Sequence, residues 1–170
     1  IEAFVRMAHL ALPNLLLTME EGCHGDGRLA VEEMCCEDEL FLPLWEESYV
    51  MALPLNHPMA TVQANWAPIE DWITCPQHPS HQRLMALYGR SPEAVAGHAG
   101  SLQQALHMVA AGVGVAMLPQ SLVSGNARVV VRALHLPAPT RRVGLCYAAQ
   151  ALELPAMRGL HEYFLLNRPV

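Results

Sequence analysis

The sequence has no run of about eighteen apolar residues and no basic-then-apolar leader, so it predicts neither a membrane span nor a signal peptide, and a cytoplasmic location. Basic charge is also scarce. Ten Lys+Arg against sixteen Asp+Glu leave a formal charge of −6, and the arginines are scattered apart from Arg141–Arg142. Gripping nucleic-acid phosphates takes clustered positive charge, so this polypeptide is not expected to bind DNA by itself. There is no G-x-S-x-G elbow, no G-x-x-x-x-G-K loop and no H-E-x-x-H pair. The acidic pairs Glu20–Glu21, Glu32–Glu33 and Glu46–Glu47 are adjacent in sequence, so on a helix or strand their side chains point apart and read as solvated. No enzyme, no catalytic residue and no cofactor are expected. Internal repeats and low-complexity segments are missing as well.

Cysteines at 23, 35, 36, 75 and 146 are odd in number and lack CxxC or framework spacing, so they are read as reduced, small buried hydrophobes rather than metal ligands. Nine histidines raise the question of a metal. His78 and His81 are three apart, but His78 precedes Pro79 and is pushed out of helical geometry, so no metal site is assigned.

What the chain does have is 170 residues at 52% hydrophobic content, enough for one domain or two small lobes. Its clearest stretch is Ser101–Leu122. Leu102, Ala105, Leu106 and Val109 follow helical spacing behind a capping Ser101, Gly112 ends the helix, and Val113, Val115 and Met117 alternate as a buried strand up to Pro119. The helix precedes the glycines, so this is not a dinucleotide loop. Elsewhere the pattern predicts helices from Ile1 to Pro13, from Pro79 to Gly89 (His81, Leu84, Met85, Tyr88) and from Pro155 (Met157, Leu160, His161, Phe164). It predicts strands at Leu15–Met19, Glu47–Pro54, Trp72–Cys75, Val129–Leu134 and Val143–Tyr147, and an edge segment or crossover at Leu40–Trp45. This alternation argues for α/β layers around a largely parallel sheet. Pro-containing passages near 61–71 and 136–142 read as crossings between lobes.

The runs SLQQALHMVAAGVGVAMLP and EESYVMALPLNHPMA, with GRLAV at Gly27–Val31 and LPNLLLTMEEG at Leu12–Gly22, resemble in content and order the effector-binding domain of LysR-type transcriptional regulators. The resemblance implies a two-lobed, periplasmic-binding-protein-like (Venus-flytrap) fold with Rossmann-like lobes and two hinge crossings. Lobe I is then 1–60 with 143–170, and lobe II is 61–142. It implies an inter-lobe cleft for a small-molecule effector, an organic or aromatic acid, whose binding shifts the closed population. It also implies a homodimer, a tetramer in the full-length protein, and DNA contact only through a separate N-terminal winged helix-turn-helix domain. By the same resemblance the chain opens one element late, lacking a strand that carries part of the ligand site, and a whole helix is implied where CHGDG stands. Ala30 departs from the family's usual aspartate.

Pro79–Ser80–His81 resembles the Pro-Ser-aromatic triplet that holds an acid group in the muconate-responding branch, at a helix start whose free N–H groups suit a carboxylate. Cys23 falls where that branch has a threonine hydroxyl. Ser80, His81, Pro79, Cys23 and Ser101 are therefore the candidate ligand-binding residues. Two other readings remain open: a solute-binding protein of a transporter, and a thiol or metal sensor using Cys23, Cys35–Cys36 or the histidines.

Overall fold

The computed structural model describes residues 1–20, 22–61, 69, 71–88, 95–134 and 137–169. Much of the expected 61–71 crossing, the end of the helix at Gly89, and Glu21 lie outside the described residues. The chain divides into two compact units, Ile1–Glu46 with Arg141–Val170, and Glu47–Thr140. Among the described residues no helix is long and apolar enough to cross a membrane.

In the first unit, helix α1 (Glu2–Ala11) and helix α6 (Pro155–Leu166) share a core with strand β7 (Thr140–Ala148) and the opening half of strand β2 (Glu39–Pro54). α1 buries Phe4 and Ala8, and α6 buries Met157, Leu160 and Phe164, one stripe each as the helical period requires. Phe4 stacks on Phe164 with centroids 4.8 Å apart. Pro155 opens α6, where its missing N–H costs nothing. Strand β1 (Arg28–Val31) pairs antiparallel with β7, Arg28 opposite Cys146 and Val31 opposite Val143. Pro43 is accommodated in the β2 half that has β7 alone as its described neighbour, an edge position that tolerates the missing N–H. Gly144 of β7 is required by close approach, because a Cβ there would overlap the backbone oxygen of Leu42.

Strand β3 (Trp72–Thr74) and strand β4 (Val95–His98) form the parallel pair of the second unit, and Val115 bridges to Trp72 in the same sense. Helix α4 (Leu102–Ala110) follows β4, and Gly112 turns the chain at φ +85° into strand β5 (Ala116–Pro119). The second half of β2 pairs with β5 on one side and strand β6 (Val129–Arg132) on the other, and the short helices α2 (Pro58–Thr61) and α5 (Gln120–Val123) come after β2 and β5. Tyr49, Met51 and Leu53 enter one core with Leu84, while Val50 and Ala52 enter another with α4. Burial on both faces explains why this strand reads as a continuous apolar run. Gly114 lets its chain lie against β3, since a Cβ would overlap the Asp71 carbonyl.

Three expectations are corrected. The first is the largely parallel sheet: among the described pairings with a defined register, β3/β4 and the Val115 bridge are parallel, whereas β1/β7, β2/β5 and β2/β6 are antiparallel. Leu15–Met19 forms no strand, and Leu16 is 88% exposed; alternation without a ladder partner does not hold a strand together. The acidic pairs are not simply solvated: Glu32 takes a two-bond ion pair from Arg142, and Glu47 accepts from the Ser121 N–H at 2.9 Å.

Candidate functional site

The carboxyl ends of β3 and β4 bring together most of the predicted residues. Parallel strands end side by side, so the loops leaving them, 75–80 and 99–101, are neighbours. The Ala99 N–H donates to the Thr74 carbonyl at 2.8 Å, and the Cys75 thiol donates to the Ser101 carbonyl at 3.5 Å. Burial pushes that thiol up to about 11, so it remains a neutral donor. Thr74 is buried, and its hydroxyl lies 2.9 Å from Nδ1 of the exposed His98.

Ser101 caps α4 as expected, its Oγ accepting the Gln104 N–H at 3.2 Å. Gln104 in turn accepts the Gly100 N–H at 2.9 Å through Oε1, a reciprocal cap close to the S-x-x-Q capping box.

Ser80 does not cap. The helix after it, α3 (His81–Met85), is only five residues long, and Ser80 is itself in helical conformation. Its hydroxyl lies 2.7 Å from His78 Nδ1, which also accepts the Ser80 backbone N–H at 3.1 Å. A backbone N–H can only donate, so Nδ1 is an acceptor and the Ser80 hydroxyl donates to it as well. The hydroxyl oxygen keeps acceptor capacity, although Ser80 is only 4% exposed. With so short a helix, the expected dipole and free N–H array give way to side chains as the polar groups at this end. Pro79 is exposed and precedes α3 rather than occupying its first position.

His81 is partly buried, with its ring 6.1 Å from that of Tyr88, which meets Trp72 edge-on at 5.0 Å. Its Nδ1 is buried without a hydrogen-bond partner among the described residues. Such an atom is costly to leave unmet.

Cys23 belongs to the first unit and is not a free thiol. It is bonded to Cys36, which corrects the reduced reading of that pair. Gly22 and Gly25, both at positive φ, shape the chain around Cys23, and no described residue between α1 and β1 is helical. Cys35, Cys75 and Cys146 are free. Beside the disulfide, Arg28 donates from Nε to Glu39 Oε1 at 2.9 Å and from Nη2 to Glu39 Oε2 at 2.5 Å, to the Met34 carbonyl at 2.6 Å and to Cys36 Sγ at 3.2 Å. The hydrogen bonds from Arg28 hold the Glu39 carboxyl below the usual carboxylate range. Burial, then the bond with Cys35, holds the Cys146 thiol above the usual thiol range. The sequence reading missed His78, Arg28 and Glu39 as organising residues. The signal available for His78 was its two-residue spacing to Ser80 across a proline; for Arg28 and Glu39 nothing local pointed to the pairing.

The family model described as LysR substrate binding domain matches residues 37–167. A curated relative, the probable hydrogen peroxide-inducible genes activator of Mycobacterium avium, is 29% identical over 120 residues, covering 65% of this chain and 39% of that protein. The chain thus spans about two-fifths of that relative's length. The reduced OxyR regulatory domain from Pseudomonas aeruginosa superposes with TM-score 0.73 at 21% identity, covering 98% of this chain and 90% of that one. The C-terminal domain of a probable LysR family transcriptional regulator from Rhodococcus sp. RHA1 gives 0.74 at 15%, covering 97% and 91%. On these matches the chain belongs to the LysR substrate binding domain family, a regulatory and non-enzymatic domain with the two-lobed periplasmic-binding-protein-like fold.

Proposed function

We propose that this chain is the sensing part of a LysR-type transcriptional regulator, and that it binds a small organic or aromatic acid at the carboxyl ends of β3 and β4. The observation that carries the reading is His81 Nδ1, a buried ring nitrogen with no hydrogen-bond partner among the described residues, on the residue after the buried Ser80 and at the end of a parallel pair where α/β folds bind ligands. A carboxylic or phenolic group supplies the missing partner. Pro79 and the Ser101 turn form the rim. In the whole protein, an effector that binds one conformation better than another shifts their populations. A separate winged helix-turn-helix domain then carries the response to DNA in a dimer or tetramer. This chain's net charge of −6 agrees with a sensor rather than a DNA-binding surface.

A thermal-shift screen of small acids tests this. One acid is expected to raise Tm, with the shift lost in both Ser80→Ala and His81→Ala. Acids that stabilise both variants as well as the native chain overturn the site.

A second reading, thiol-based sensing, is favoured by the Cys23–Cys36 disulfide and by the peroxide-inducible description of the Mycobacterium avium relative. Hydrogen peroxide accepts two electrons and two protons from the two thiols, giving the disulfide and two waters. A Cys23→Ser variant that folds and still responds to peroxide excludes this reading.

A further inference from the structure

We propose that Cys35, Glu39 and Cys146 form a site for one thiophilic divalent cation of the Zn2+ class, separate from the acid-binding end of the other unit. Their ligand atoms all lie within 4.8 Å of one another. A tetrahedral Zn2+ with sulfur at about 2.3 Å needs them slightly closer, a shift that rotamer adjustment supplies.

Three elements converge to make the set. Cys35 follows the short turn Glu32–Met34, with its N–H donating to the Glu32 carbonyl at 3.1 Å. Glu39 opens β2, and its Oε2 accepts the Cys36 N–H at 2.8 Å. Cys146 is fully buried in β7, directly opposite Arg28.

Arg28 balances the site rather than opposing it. Two thiolates, one carboxylate, one guanidinium and one dication sum to zero charge, which suits a half-buried location. Glu39 Oε1, whose one described donor is Arg28 Nε, keeps a second lone pair for the ion, while Oε2 is held by Arg28 and the Cys36 N–H. Arg28 is thus a positioning residue that fixes the carboxylate. The Cys23–Cys36 sulfurs are engaged with each other and supply no ligand, so three protein donors leave a fourth position open to water.

The test titrates the purified, disulfide-intact protein with Co2+ and follows the near-ultraviolet thiolate-to-cobalt band. One equivalent is expected to produce the band, and one equivalent of Zn2+ to abolish it. The band is expected to vanish in Cys35→Ser and Cys146→Ser and to persist in Cys75→Ser. In Arg28→Met, binding is expected to weaken about 10- to 100-fold. Cys35 sits on a partly exposed turn, so its variant decides the matter if Cys146→Ser fails to fold by circular dichroism. Three results overturn the site: no band, a band that survives in folded Cys35→Ser, or a band that forms only after the disulfide is reduced.

Discussion

The polar groups of the two units are used in opposite ways. Around Arg28 the donors are taken up by Glu39, Met34 and Cys36, and a disulfide ties the same neighbourhood together. At the ends of β3 and β4 the groups sit on loops, Ser80 is turned onto His78, and among the described residues one buried nitrogen is left unmet. Antiparallel strands such as β1 and β7 pair along their length and close on themselves. Parallel strands leave their ends to loops, and that is where a ligand finds polar groups. The contrast separates a polar cluster whose groups are tied to one another from one that keeps a buried ring nitrogen with no partner among the described residues.

The largest effects are expected where strands touch. Gly114→Ala in the second unit and Gly144→Ala in the first each drive a Cβ into a backbone carbonyl, of Asp71 and Leu42. Each is expected to cost about 3 kcal/mol in urea denaturation, with hydrogen exchange accelerated mainly in the mutated unit. Equal acceleration in both units breaks the view that each holds itself together.

Next comes Glu39, whose carboxyl is held below its ordinary 4.5 by Arg28. A lowered folded value means that this contribution is complete above the ordinary value and is lost as pH falls through the folded one. Urea midpoints of the native chain are therefore expected to drop below about pH 4.5 more steeply than those of Glu39→Gln. Parallel pH curves remove Glu39 from the first unit's stabilising cluster. The smallest effect is Ser101→Ala, expected to cost about 1 kcal/mol of thermal stability by removing the α4 cap, with no change in the first unit's hydrogen exchange.

How legible each part was depends on how local its cause is. The run from Ser101 to Pro119 was readable because cap, helical period, glycine turn and buried strand all lie within twenty residues and agree. Leu15–Met19 was misread because a strand is a property of two segments, and no described strand lies alongside it. That Ser80 would leave α3 uncapped was not legible, because His78 takes its hydroxyl, a contest of side chains that residue type does not decide. The Cys23–Cys36 bond links residues thirteen apart with no framework spacing to announce it. The convergence of Cys35, Glu39 and Cys146 depends on β1 and β7 meeting with Arg28 opposite Cys146, a register invisible in either segment alone. The loops that leave β3 and β4 were partly legible, because helix starts and strand ends leave caps and prolines in the text.

The bond between Cys23 and Cys36 closes a ring of chain that contains Arg28. A protease cutting the peptide after that arginine severs the backbone without releasing anything, because the piece carrying α1 stays tethered through sulfur. Such a nicked molecule migrates as one band on a denaturing gel and separates into two only when a reductant is added.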